Sequence, residues 1–153
     1  MPKINNLYIA SDHAGYELKS YLIANLQNYN IINLGTDSEA SVDYPDYAKL
    51  VAESITSEGD FGILICGSGI GISIAANRYA HIRAALCSEH EVAILSREHN
   101  DANVLALGSR FIAGQQALDL CNSFLSTNFA KGRHQLRVSK LSVPNQSHKF
   151  FPS

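Results

Sequence analysis

Phe61-Gly62-Ile63-Leu64-Ile65-Cys66 is a short, unbroken apolar run, and it ends in Gly67-Ser68-Gly69-Ile70-Gly71. A strand without polar alternation is covered on both faces, so it belongs inside a layered sheet. The glycines behind it mark a tight turn into Ile70–Arg78, a stretch of helical period. The same alternation runs along the chain. Leu7–Ala10, Ile31–Leu34, Arg83–Cys87 and Val104–Leu107 read as strands. Tyr16–Leu26 reads as a helix with Leu18, Tyr21, Leu22 and Leu26 on one face. Thr36 to Asp43 is a polar loop, and Pro45 opens a helix that continues through Tyr47–Ser57. Glu89–Glu98, Gly114–Ser126 and Gly132–Lys140 complete the helices. Strands alternating with helices imply an α/β fold, a parallel sheet with helices on both faces.

No repeat, low-complexity tract or linker interrupts this pattern, so the 153 residues are read as one domain, 1–153. The tail from Pro144 to Ser153 is expected to be extended or loose. At 46% apolar and 17% charged residues, the composition is globular and argues against disorder. Twelve Lys and Arg against 14 Asp and Glu give a net charge of −2. There is then no basic field to draw nucleic acid or an anionic membrane. The longest uncharged run, between Asp60 and Arg78, is broken by glycines and falls short of the ~20 residues a membrane span needs. Cys66, Cys87 and Cys121 are an odd number with no pairing pattern, and Met1–Ala10 lacks the apolar core of a signal peptide. A reducing, cytoplasmic compartment is the expectation.

In parallel sheets ligands bind beyond the carboxyl ends of the strands. That places Asp12-His13, Cys66–Gly71, Cys87–Glu89 and Gly108–Arg110 under scrutiny. Gly67, Gly69 and Gly71 let backbone N–H groups approach an oxyanion or phosphate at a positive helix end. A tight turn alone would also want small residues. A dinucleotide fingerprint would need glycine where Ile72 stands. Cys66 sits at that helix start, where the dipole and amides favour a thiolate that can act as nucleophile or base. The plainer reading is a small buried hydrophobe, which is how Cys87 and Cys121 are read. Cys87-x-x-His90 has metal-like spacing but no matching second pair, so no metal site is expected.

Asp12 suits an N-cap as well as a ligand contact, whereas His13 at a strand end is harder to explain as structure. His99 either complements a helix carboxyl end or titrates near neutral pH for catalysis. Arg133 and Arg137, four apart, share a helix face that fits either a dianionic phosphate or solvent. Arg110, at a strand end, is a further candidate. An ionisable thiol, histidines, an oxyanion-type turn and an arginine pair are the parts sugar-phosphate isomerisation needs. A base removes a proton alpha to a carbonyl, donors hold the enediolate, and arginines hold the phosphate. A non-catalytic phosphosugar- or nucleotide-binding domain could use the same turn and arginines, but it gives Cys66 and His99 no task. A redox flavodoxin-like module would want a Cys-x-x-Cys pair, and the sequence has none.

Six segments together carry a resemblance. They are Ser11-Asp12-His13-Ala14-Gly15, Ser41–Ala48, Ile65–Arg78, His99–Leu105, Gly108-Ser109-Arg110 and Gly132-Arg133-His134-Gln135-x-Arg137. In unbroken order over about residues 5–140, they resemble ribose-5-phosphate isomerase type B, a family that also holds galactose- and allose-6-phosphate isomerases. The resemblance implies a Rossmann-like three-layer α/β/α sandwich with about five parallel strands. It implies interconversion of ribose 5-phosphate and ribulose 5-phosphate in the pentose phosphate pathway, with no cofactor; a hexose 6-phosphate is the alternative substrate. Cys66 matches the base that moves the proton between C2 and C1. Some members use a Glu further into the loop, but Ile70, Gly71, Ile72 and Ser73 offer no carboxylate here. Ser68 matches a position that assists proton movement, and His99 one that assists ring opening. Asp12, His13, Tyr44 and Asn100 match ligand-contacting positions; Arg110, Arg133 and Arg137 match phosphate-contacting ones. The family's dimers or tetramers share active sites between subunits, so His99, Asn100 and Arg110 are expected to reach a neighbour's Cys66.

Overall fold

The computed structural model of the chain describes residues 1–142. The expectation for Pro144–Ser153 lies outside them. Five parallel strands, β1 (Asn6–Ser11), β2 (Ile31–Asn33), β3 (Asp60–Cys66), β4 (Ala84–Leu86) and β5 (Val104–Gly108), form one sheet in the order β2-β1-β3-β5-β4. Five α-helices, α1 (Tyr16–Asn25), α2 (Tyr44–Ser54), α3 (Ile70–Ala76), α4 (His90–Glu98) and α5 (Gly114–Ser126), pack around it, and a sixth, α6 (His134–Leu141), lies apart from its faces with only Val138 buried. The α/β sandwich expected from the sequence is the fold observed. Among the described residues, no helix is long and apolar enough to cross a membrane.

The apolar run of β3 is explained by its place in the middle of the sheet. Ile63 and Ile65 face a core built with Leu18 and Leu22 of α1, Ala93 of α4, and Leu120 and Phe124 of α5. Leu64 and Cys66 face the opposite core, with Ala48 and Val51 of α2 and Ile72 and Ala76 of α3. Ile63, Leu64 and Ile65 are each completely buried, which stabilises the fold by roughly 1.5–3 kcal/mol per side chain. Gly62 is part of the same packing, since a Cβ there would lie 2.7 Å from Val51 Cγ1. A larger residue would push α2 off the sheet.

The chain runs from β1 to β2 on one side and then to β3 on the other, so the sheet changes direction between β1 and β3. Such a switch point opens a crevice at the carboxyl ends of the two strands. Asp12 leaves β1 there and Gly67 leaves β3.

Two expectations need correction. The second helix spans Tyr44–Ser54 rather than reaching Ser57. The buried carboxylate of Asp60 takes the N–H groups of Thr56 (3.0 Å) and Ser57 (3.2 Å), and Ile55 turns extended. Burial by itself would raise the Asp60 carboxyl, but the bonds from Asn6, Thr56 and Ser57 outweigh it and hold it below its usual value. On α1 the buried residues are Leu18, Lys19 and Leu22, while Tyr21 is partly exposed. A lysine takes a place that helical spacing had given to the tyrosine.

Candidate active site

At the β1–β3 crevice the backbone is stitched tightly. Asp12 N–H donates to Ile65 O at 3.2 Å, tying the end of β1 to β3. Asp12 Oδ1 accepts from Ala14 N–H (3.0 Å) and Gly15 N–H (3.2 Å), capping a single 3-10 turn at His13–Gly15. The capping role is therefore met. His13 is half-buried, and its Nδ1 accepts the N–H of Val42 at 3.1 Å. A ring nitrogen that accepts carries no proton, so the neutral imidazole keeps its proton on Nε2.

Cys66 ends β3 at 4% exposure. The Gly69 N–H donates to its Sγ at 3.1 Å. Gly69 has φ +77 and its position abuts Leu107 and Gly108, so a side chain there would be both strained and crowded. Ser68 is half-buried, and its hydroxyl accepts the Ile70 N–H at 3.1 Å, closing the turn into α3. Tyr44 lies over Gly71, where a Cβ would come within 2.9 Å of the phenol oxygen. This is why the turn needs glycine at 71.

The loop after β5 is tied to the same turn. Ser109 N–H donates to Cys66 O (2.9 Å) and Arg110 N–H to Gly67 O (3.0 Å). The Arg110 guanidinium then lies over Gly67, whose Cβ would sit 3.0 Å from Arg110 Nε. The expectation that Arg110 reaches a neighbour's Cys66 is corrected here, because these two bonds hold Arg110 beside its own chain's turn.

His99, Asn100, Arg133 and Arg137 are elsewhere. The register pairs Gly62 with Val104 and Cys66 with Gly108. At ~3.3 Å per residue, four steps separate the two ends of β5 by roughly 13 Å. His99 caps the carboxyl end of α4 and precedes Val104, so it lies at the amino end of the strands. Its turn is well held. The buried Arg97 donates to Thr127 O (3.0 Å) and Asp101 Oδ1 (2.9 Å), with its guanidinium over the Phe61 and Phe124 rings. Arg83 reaches the other oxygen of Asp101 at 3.3 Å. Ala130 N–H donates to Glu98 O at 3.0 Å, which brings the start of α6 to His99.

There His134 stacks on His99, with ring centroids 4.3 Å apart and planes at 17°. His134 titrates below the ordinary histidine range. Partial desolvation is the first cause, followed by the positive fields of His99, Arg133 and Arg137, against a weaker pull from Glu98. Among the described residues, neither Arg133 nor Arg137 has a carboxylate partner. Two histidines and two unpaired arginines in one place suit a multiply charged anion. His134 stood inside a motif already singled out, but only the tertiary stack marks it as part of the cluster. A cleft of about 1260 Å³, lined in part by Arg83, Arg97, Asp101, Lys131 and Gln135, opens beside it.

The sequence-predicted residues thus form two groups at opposite ends of the sheet. Asp12, His13, Tyr44, Cys66–Gly71 and Arg110 make one; His99, Asn100, Arg133 and Arg137 make the other. No group of three His, Cys, Asp or Glu residues that could hold a metal occurs among the described residues. His90 Nδ1 is engaged with Ser123 Oγ at 2.8 Å, and Cys87 is buried.

Residues 7–141 match the ribose/galactose isomerase family. The chain is similar to the structure of ribose 5-phosphate isomerase B from Anaplasma phagocytophilum, at 49% identity and a TM-score of 0.88, over 92% of this chain and 99% of that one. It is similar to a Mycoplasma genitalium ribose-5-phosphate isomerase B with bound ribulose-5-phosphate, at 42% identity and a TM-score of 0.86, over 90% and 93% of the two chains. Ribose-5-phosphate isomerase B of Escherichia coli is 46% identical over 138 residues, 88% of this chain and 93% of that protein.

Proposed function

The chain belongs to the ribose/galactose isomerase family, and from that premise we propose that it interconverts D-ribose 5-phosphate and D-ribulose 5-phosphate. The observation that carries the reading is Cys66, buried at the β1–β3 crevice with an amide donor on its sulfur. The similar Mycoplasma genitalium protein, which holds ribulose-5-phosphate, supports the pentose over a hexose.

The chemistry is a proton shift between neighbouring carbons, balanced within the substrate, so no cofactor is required. The Cys66 thiolate takes the C2 proton of the open aldose and returns it to C1. The C1 carbonyl oxygen takes up the enediolate charge, and the C2 hydroxyl gives its proton to it as C2 becomes the new carbonyl. The amides of Gly67, Gly69 and Gly71 stabilise the charge between these steps. Ser68 relays protons at those oxygens. Asp12, His13, Tyr44 and Asn100 hold the sugar, His99 opens the ring, and Arg110, Arg133 and Arg137 grip the phosphate.

His99 and the arginine pair lie at the wrong end of the sheet to meet their own Cys66. The reading therefore requires a second copy of the chain, in a dimer or tetramer, whose His99, Asn100, Arg133 and Arg137 complete the site. Exposed apolar residues flank the Cys66 turn and line α6: Ile70, Ile74 and Leu86 on one side, Leu136 and Leu141 on the other. A cytoplasmic enzyme with no nucleic-acid or membrane partner fits the composition.

The test is a side-by-side assay of the purified protein with ribose 5-phosphate, allose 6-phosphate and galactose 6-phosphate. Turnover confined to a hexose phosphate would replace the substrate. No turnover of any would favour a binding domain. Mixing inactive Cys66→Ala and His99→Asn chains tests the shared site, because one of the two sites in a mixed dimer would carry neither defect. No recovered activity after demonstrated subunit exchange would end that part of the reading.

A further inference from the structure

Lys19 is 1% exposed and is among the largest fully buried side chains in the molecule. Its ammonium has three donors but one hydrogen-bond acceptor, Asn33 Oδ1 at 2.9 Å, with the Tyr16 ring centroid 5.4 Å away. Burial lowers the readiness of this amine to hold its proton, and the charge of Asp37 partly restores it. An apolar residue of the same volume would avoid the cost of desolvating a cation. Stability alone therefore does not account for a lysine here.

What Lys19 touches offers a reason. Asn33 Oδ1 also accepts the N–H of Gly35 at 3.0 Å, at the root of the loop 36–43. Gly35 O and Thr36 N–H bond to Ser11 at 2.8 and 2.9 Å, immediately before Asp12-His13. At the far end of the loop, Val42 N–H reaches His13 Nδ1 at 3.1 Å. Lys19 and Asn33 thus anchor the base of a loop whose other end fixes the proton of His13.

We propose that Lys19 is a positioning residue. Through Asn33 and the loop 36–43 it holds His13 as the Nε2–H tautomer, a hydrogen-bond donor ready for an oxygen of the sugar phosphate. The proposal rests on the isomerase reading for the identity of that ligand, but its structural core does not.

The experiment uses the full chain and the variants Lys19→Met, Asn33→Ala and the double variant. Nitrogen-15 NMR of the imidazoles reports which ring nitrogen carries the proton, with His13→Gln assigning the signals. The parent should show His13 as one tautomer, protonated at Nε2. Each variant should show a mixture of tautomers. KM for ribose 5-phosphate should rise about tenfold with kcat within about twofold, the pattern for loss of ground-state binding. The double variant should be no worse than Asn33→Ala alone, because both act on one hub. A Lys19→Met protein of lower thermal stability that keeps the single His13 tautomer and the parent KM would overturn the proposal and leave Lys19 a packing residue. Should Lys19→Met fail to fold, the parent tautomer persisting in Asn33→Ala overturns it equally. A parent without turnover of ribose 5-phosphate would sink the isomerase reading, while the NMR result would still decide the link from Lys19 to His13.

Discussion

The His134 imidazole stacks on that of His99, centroid to centroid at 4.3 Å, at the junction of α4 and α6. Two imidazoles this close disfavour a second proton. The neighbouring Arg133 and Arg137 add to the penalty, and the His134 proton is held less tightly than in free histidine. A dianion bound beside these groups would favour the protonated imidazole. The proposed role of this cluster in gripping phosphate can therefore be tested through its protons.

This predicts proton uptake on anion binding. The folded chain binds fewer protons at His134 than the unfolded one, so His134 costs stability as the pH falls through the ordinary histidine value of about 6.5. A bound dianion raises the folded value and reverses the sign. Sulfate, which does not titrate in this range, should inhibit more strongly at pH 5.5 than at 7.5. Calorimetry in two buffers of different ionisation heat should register the uptake. His134→Gln should flatten both effects; a pH-independent sulfate affinity in the parent would remove the cluster from phosphate binding.

Arg137 gives a second handle on the same anion. Arg137→Ala should weaken phosphorylated ligands by ~1.5–3 kcal/mol, the scale of a charge-assisted hydrogen bond. Inorganic phosphate should inhibit the parent and inhibit the variant less. Equal inhibition of both would return Arg137 to a solvated face.

The layers of the fold were legible because β3 announces itself. A short, unbroken apolar run such as Phe-Gly-Ile-Leu-Ile-Cys suits a strand buried on both faces, and the glycines after it mark where the chain turns. The Cys66 turn and the Asp12-His13 end followed from the rule about strand carboxyl ends. Other features were hidden because they depend on tertiary bonds. Asp60 stops α2 through side-chain acceptors that no periodicity encodes. Lys19 is a polar letter on an apolar face, so spacing passed over it in favour of Tyr21. His134 became visible only when Ala130 was tied to Glu98 and its ring met His99. The carboxyl-end rule placed Cys66 and Asp12-His13, but it says nothing of residues such as His99 and Arg133 that follow or open helices. From the resemblance His99 is expected apart from its own Cys66, and the strand register gives the separation its geometry.

Cysteine reactivity separates the three thiols. Burial pushes the Cys87 thiol up to about 11 and the Cys121 thiol up to about 12. Cys66, with an amide N–H on its sulfur, should therefore be alkylated first at pH 8, and substrate should protect it. Cys66→Ala should abolish isomerisation with the fold intact, as judged by circular dichroism. Were Cys87 or Cys121 to react first while Cys66→Ala kept turnover, the base would lie elsewhere.

His99 allows ring opening to be separated from proton transfer. Ribose 5-phosphate in solution is mostly a furanose closed through its C4 hydroxyl. Before C2 becomes acidic, something must take the anomeric proton and protonate the ring oxygen. An imidazole, which can both take and give a proton, suits both transfers. Ribulose 5-phosphate carries phosphate on its C5 oxygen, cannot close a five-membered ring, and enters open. His99→Asn should therefore lose turnover of ribose 5-phosphate by ~10²–10⁴-fold, the usual range for a general acid–base group. It should still exchange the C1 proton of ribulose 5-phosphate with D₂O at near the parent rate, because Cys66 is untouched. Cys66→Ala should lose both reactions. Proton NMR of ribulose 5-phosphate in D₂O reads the exchange directly. Loss of C1 exchange in His99→Asn as complete as its loss of isomerisation would assign His99 to the proton-transfer step itself.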